Sequence, residues 1–489
     1  MSDSLVGIEP AKRAPAASQA EKLPDFRDHL ATADRQGHRC WVYAQPASGR
    51  WYRWRKQVSW LLIGIMFAGP FIRINGNPLL MMNIIERRFS ILGQIFWPQD
   101  MVIFAVAMLV FLTGIIVFTT GFGRLWCGWT CPQTVMMEMV FRRLEYLIEG
   151  NAHEQRALDA APWTGKKIVR KLTKHAIFFG LSFIIGNTLL SYIIGSDQLL
   201  QIIGDNPLNH GAGLTFMILF TLIFYANFAR FREQACTFIC PYGRFQSTML
   251  DENTMVVAYD HKRGENRAPL HRGQSLEQRR AATFGDCINC RQCVAVCPTG
   301  IDIRNGTQME CINCTACIDA CDAIMEKIER PAGLIRFASL NSIQNGEPFR
   351  FTARMKVYLG VLGALIALFL FLVFSRAAID TTLLRAPGAL FQQTPEGRIE
   401  NLYTLKIINK TSRDLPIEMK LENLKGDLRV MGDGHLVVPK GQLAQTSILI
   451  EIQPLLLHGN STKLEVGVYS NGKRLQTVTS AFVGPRTSP

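Results

Sequence analysis

Between Met101 and Thr120 the chain carries no charged side chain, and a helix of about 20 such apolar residues is what a bilayer crossing needs. Comparable runs occupy about Val58–Ile74, Ala176–Gly195, Gly211–Ala229 and Val357–Phe374. Backbone polar groups in hydrocarbon must be satisfied within their own segment, so these runs predict helices. We read five transmembrane spans, the first flanked by Trp51, Trp54 and Trp60 as an interfacial belt. The clustering of the 48% hydrophobic content, more than its total, excludes an ordinary soluble protein.

Orientation follows from the basic residues of the short loops. Arg124, Arg142, Arg143, Arg156, Lys166, Lys167, Arg170, Lys171 and Lys174 lie between the second and third runs, whereas Ser196–His210 has neither Lys nor Arg. The first loop is therefore expected in the cytosol and the second outside. Five spans then place the N-terminus and residues 230–356 in the cytosol and residues 375–489 outside. Arg87 and Arg88 run against the rule. The net charge of +14 is read as facing anionic membrane lipid beside the spans, and nucleic acid is not an expected partner. Residues 1–50 are polar and lack the apolar core of a signal peptide, so they read as a flexible cytosolic tail.

All 13 cysteines fall on the expected cytosolic side, which fits metal ligands and argues against disulfides. Eight form two runs of C-x2-C-x2-C-x3-C spacing: Cys287, Cys290, Cys293, Cys297 and Cys311, Cys314, Cys317, Cys321. In paired-cluster ferredoxins such a run gives three thiolates to one [4Fe–4S] cubane and the fourth to the other. The crosswise assignment is Cys287, Cys290, Cys293 and Cys321 for the first cluster, and Cys297, Cys311, Cys314 and Cys317 for the second. Zinc or buried free thiols are disfavoured because eight cysteines match in register. The second run ends Cys321-Asp322, without the proline that follows Cys297. Paired clusters pass single electrons, so a donor and an acceptor are implied.

Four more cysteines form a repeat, Cys127 with Cys131-Pro132 and Cys236 with Cys240-Pro241, each pair following an apolar run and an arginine. Proline favours the first helical turn, so Cys131 and Cys240 are expected at helix starts, where a thiol gains metal-binding or redox character. Soft thiolates here select Cu(I), zinc or a further iron–sulfur cluster, in one site shared by the four. Cys40 has no partner in the pattern. Haem is disfavoured, because His175 and His210 flank spans at opposite faces. Asn187, within the third run, is read as an interhelical hydrogen bond. Leu79–Ile85 reads as an interfacial helix, and Pro132 to about Glu149 as a helix. After Val357–Phe374, short alternating runs such as Tyr403–Ile408, Thr446–Ile452 and Lys463–Tyr469 predict an immunoglobulin-like β-sandwich.

The fold class is thus a multi-domain membrane protein. A helical bundle of about five spans carries an inserted cytosolic ferredoxin-like α+β segment and a C-terminal β-sandwich. The expected parts are 1–50, 51–229, 230–356, 357–374 and 375–489. The segments Trp126–Val135 (WCGWTCPQTV), Cys236–Gln246 (CTFICPYGRFQ) and Gly300–Arg304 (GIDIR) together resemble the cytochrome c oxidase accessory proteins of the CcoG (FixG/RdxA) family. The resemblance implies a membrane polyferredoxin of the bacterial inner membrane with a periplasmic immunoglobulin-like tail. It also implies a role in biogenesis of cbb3-type cytochrome c oxidase by reducing Cu(II) to Cu(I), with that oxidase and copper-delivery proteins as partners. On this reading Cys127, Cys131, Cys236 and Cys240 hold the copper. Two alternatives stand beside it: a NapH-like quinol-oxidising relay, and a non-enzymatic assembly factor docking through the sandwich. The sequence identifies neither the electron donor nor the oligomeric state.

Overall fold

The computed structural model describes residues 31–485 except 35, 37, 75, 84–87, 92, 98–99, 272–273, 275, 389–390, 412, 432–435 and 458–460. The chain divides into two compact units. One comprises 1–59, 121–174 and 231–350, and the other 60–120, 175–230 and 351–489. Every cysteine of the chain lies within the first unit's segments.

Helices at Met101–Phe122, Gly165–Ile194, Gly211–Phe231 and Ala353–Phe374 are long and apolar enough to cross a membrane, and the chain is a membrane protein. Four helices meet that standard among the described residues, against the five spans read from the sequence. The difference lies at the first run, where the helix is Arg50–Ala68. It begins in the basic stretch Arg50, Arg53, Arg55 and Lys56 and ends before Gly69-Pro70, so its apolar part is shorter than those of the other four. The predicted interfacial helix is also replaced. Leu80–Asn83, Arg88–Ile91 and Gln94–Phe96 form an antiparallel meander, one of whose turns uses Gly93 with φ 75°. Ile84, Ile85 and Arg87 lie outside the described residues. Asn187 donates to the Phe183 carbonyl of its own helix at 2.9 Å, not to another helix.

In the second unit the C-terminal sandwich has two sheets. One runs 426–430, 443–452, 399–409, 379–385, with 392–393 also paired to 399–409; the other runs 436–438, 415–421, 461–470, 473–483. The predicted runs fall within these strands, and their inward positions Tyr403, Ile407, Ile450 and Val468 are fully buried. Asp100 is held by Arg376 at 2.6 Å and Lys410 at 2.8 Å.

The first unit gathers the cysteine-bearing segments around a buried ionic network. Pro132–Glu149 is helical throughout, with a π turn at Met137–Phe141, as the sequence predicts. That helix presents Glu138, Arg142, Glu145 and Glu149 inward. Glu145 pairs with Lys174 at 3.0 Å and Arg232 at 2.9 Å, Glu149 with Lys174 and Lys171, and Arg142 with Glu138. Arg142, Lys174 and Arg232 were expected to face lipid headgroups. They are buried, and their charges are met by carboxylates of the protein. The described residues of 31–49, read as part of the flexible tail, pack on this unit: Thr32 and Ala44 are buried and Gln45 N–H donates to the Ala295 carbonyl.

Candidate metal centres

The two cysteine runs adopt the same loop. Asn289 and Arg291 have φ near 55°, and Asn313 and Thr315, at the equivalent positions of the second run, have φ 52° and 67°. Asn enters this left-handed region more readily than most residues, which accounts for the repeated Cys-Ile-Asn-Cys at 287–290 and 311–314. The second cysteine of each run is followed by a helix, Gln292–Ala295 in one and Ala316–Lys327 in the other.

Two small cavities lie beside these loops. Cys287, Cys290, Cys293 and Cys321 line one. Cys297, Cys311, Cys314 and Cys317 line the other, whose wall Cys293 also joins. The fourth cysteine of each run therefore faces the other run's cavity. Apolar neighbours Ile301, Ile303, Leu334 and Ile335 complete the walls. Burial pushes the Cys293, Cys311 and Cys321 thiols up to about 12. Without a metal they are protonated, and ligation displaces those protons. The donor set fits a group that takes four soft thiolates in an apolar shell.

Side-chain hydrogen bonds brace each loop. Arg304 grips Asp302 at 2.6 and 2.8 Å and donates to Asn289 Oδ1 at 2.6 Å, so the Gly300–Arg304 motif fixes the first loop. Asn313, 2% exposed, accepts from Val257 N–H at 3.1 Å and donates to the Phe122 carbonyl at 3.3 Å. Arg279, fully buried, donates to the Cys287 carbonyl at 2.9 Å.

The two Cys-Pro pairs converge in the same unit. Cys131 and Cys240 are N-cap residues with extended backbone, each followed by proline at the first helical position, as predicted. Cys236 is close enough to Cys131, Cys127 and Cys240 for each to raise its pKa, with burial the larger cause, taking it to about 12. Burial likewise pushes Cys127 up to about 11, opposed by Arg124. Gln246 Oε1 accepts from Cys127 Sγ–H and from Arg124 Nε, both at 3.1 Å. Among the described residues no three His, Cys, Asp or Glu side chains are closed around a point as ligands of a single ion. The four thiols are neighbours in a looser arrangement. Cys40 is exposed and stands apart from both constellations.

This looser site adjoins the second cavity. Cys127 shares one apolar core with Val296, Ile312, Cys314 and Ala316. A Cβ on Gly128 would meet the Ile312 carbonyl oxygen at 2.3 Å and Cys314 N and Cα at 3.0 Å, so only glycine allows this approach. Trp129 Nε1 donates to the Asn313 carbonyl across the same seam. Sequence reasoning missed Gly128, Asn289, Asn313 and Gln246 as functional residues. All lie inside or beside the cysteine motifs, and the doubled Cys-Ile-Asn-Cys was the available signal for two of them.

Membrane helices together with paired cysteine cavities define a membrane-bound iron–sulfur electron-transfer protein. The chain matches the 4Fe-4S dicluster domain over residues 231–340 and a 4Fe-4S binding domain over residues 104–151, and it carries two [4Fe–4S] clusters. Residues 369–485 match the IG-like fold at the C-terminus of FixG. The nitrogen fixation protein FixG of Rhizobium meliloti is 32% identical over 80% of this chain and 81% of its own length. Protein RdxA of Cereibacter sphaeroides is 33% identical over 78% and 82%, and RdxB of the same organism 31% over 81% and 84%. The chain belongs to the FixG/RdxA family.

Proposed function

We propose that this protein reduces Cu(II) to Cu(I) at the cytosolic face of a bacterial inner membrane, for assembly of the copper centre of a cbb3-type cytochrome c oxidase. Cys287, Cys290, Cys293 and Cys321 hold the first cluster, and Cys297, Cys311, Cys314 and Cys317 the second. When bound, the clusters supply electrons one at a time. Cys127, Cys131, Cys236 and Cys240 receive copper as substrate, and their soft sulfur favours the reduced ion. One electron entering Cu(II) yields Cu(I), with the donor thereby oxidised by one electron.

The observation that carries this reading is the shared core of Cys127 and Cys314. It sets Cys127 against the Ile312–Cys314 loop, which supports electron transfer between the two sites. Anaerobically purified protein is expected to hold about eight iron and eight sulfide per chain. Once reduced, it should yield about two Cu(I) from excess Cu(II), one for each cluster oxidised. Cu(I) no higher than in a protein-free control, with both clusters loaded, contradicts the proposal.

The proposed orientation places residues 230–356 in the cytosol and the sandwich in the periplasm, which requires Arg50–Ala68 and the chain just after it to complete a crossing. Ser461 is exposed in the sandwich. A membrane-impermeant thiol reagent applied to intact cells with a permeable outer membrane should label a Ser461→Cys variant and leave the wild type unlabelled. Labelling of the wild type, with nothing added by Ser461→Cys, reverses the orientation.

A further inference from the structure

Arg55, on the helix Arg50–Ala68, is 3% exposed. Its Nε donates to the Gly128 carbonyl at 2.7 Å, and its Nη2 is buried with no hydrogen-bond partner. Among the described residues no carboxylate pairs with it, unlike Arg142 and Arg232 of the same unit. A buried guanidinium without an anion is strongly unfavourable unless something in the working protein supplies negative charge.

The position of Gly128 indicates what supplies it. The carbonyl that Arg55 grips belongs to the residue seated on Ile312 and Cys314, at the approach distances given above. The first cavity has cations of its own: Arg304 lines it but is neutralised by Asp302, Arg291 is exposed, and the fully buried Arg279 donates to the Cys287 carbonyl. A net cation beside a thiolate-ligated cluster stabilises the more negative, reduced state and raises the potential.

We propose that Arg55 is a tuning residue of the second cysteine set. It raises the reduction potential there, which favours an electron on the set next to Cys127. Arg55 then links the two halves of the path: its charge acts on the Cys314 loop while its Nε fixes the Gly128 carbonyl of the copper loop. The inference rests on the two-cluster reading.

The test is a potentiometric titration of anaerobic full-length protein followed by electron paramagnetic resonance, on wild type and on Arg55→Lys, Arg55→Gln and Arg55→Met. A Cys290→Ser variant identifies the second cluster's signal. The Gln and Met variants should show a lowered second midpoint and an unchanged first, and the Lys variant should stay near the wild type. Loss of only the second cluster from Gln and Met, with Lys fully loaded, supports the same need for positive charge. Unmoved midpoints in loaded Gln and Met variants overturn the proposal, as does loss of both clusters from all three, which would make Arg55 a packing residue. A wild type with no second titrating cluster would instead defeat the two-cluster reading.

Discussion

Replacing Glu145 by alanine is expected to destabilise the protein by about 3–5 kcal/mol, the range seen when one partner of a buried ion pair is removed. Glu145 is 2% exposed and carries Lys174 on one side and Arg232 on the other. Burial alone would push its carboxyl up, but Arg232, Lys174 and Arg142 outweigh it and hold the pKa below 4.5. Its removal leaves two buried cations, with only Glu149 still meeting Lys174 and Glu233 at 3.7 Å from Arg232. Arg232 sits in the turn that leads into Cys236, so the same change loosens the loop that carries Cys236 and Cys240. By contrast Lys463→Ala, which removes an exposed partner of Glu465, should cost no more than about 1 kcal/mol. The measurement is thermal loss of cluster absorbance in detergent, compared across the two variants. Equal, small shifts would contradict the role given to the network. Because the folded pKa is depressed, the Glu145 contribution is present above pH about 4.5 and is lost as pH falls through the folded value. Wild type should therefore lose more stability on acidification than Glu145→Gln.

How far the sequence disclosed this architecture depended on whether an interaction is local. The two cavity-lining cysteine sets were legible because three members of each lie within one short loop, and the spacing itself encodes the geometry. The sandwich was legible because alternation of residues such as Tyr403, Leu405 and Ile407 has the strand period. The 80–96 meander was misread because Leu80, Met81 and Met82 are apolar without alternation, and a short apolar run does not separate helix from strand. The basic residues Arg142, Lys174 and Arg232 were legible as charges but not as buried ones, since their carboxylate partners come from other segments. Arg55 is the extreme case. It sits among other basic residues in sequence, and only its approach to Gly128 sets it apart.

The second large effect concerns Cys127, Cys131, Cys236 and Cys240. Serine is close to isosteric with cysteine but lacks the soft thiolate that discriminates between the copper states. Changing all four should remove copper binding and cupric reduction together. The clusters should persist, because their eight cysteines line separate cavities. The fold should persist too, since the N-cap geometry of residues 131 and 240 uses backbone and the following prolines, and serine is itself a favourable N-cap. The quinol relay and the docking factor predict otherwise, because neither needs these thiols to bind copper. The most direct measurement is anaerobic mixing of the reduced quadruple Cys→Ser variant with Cu(II). A Cu(I)-specific chelator and cluster spectroscopy follow the two halves of the reaction. The account predicts two intact cluster signals that stay reduced, with Cu(I) at the level of the protein-free control. Cu(I) formation undiminished from wild type would contradict it.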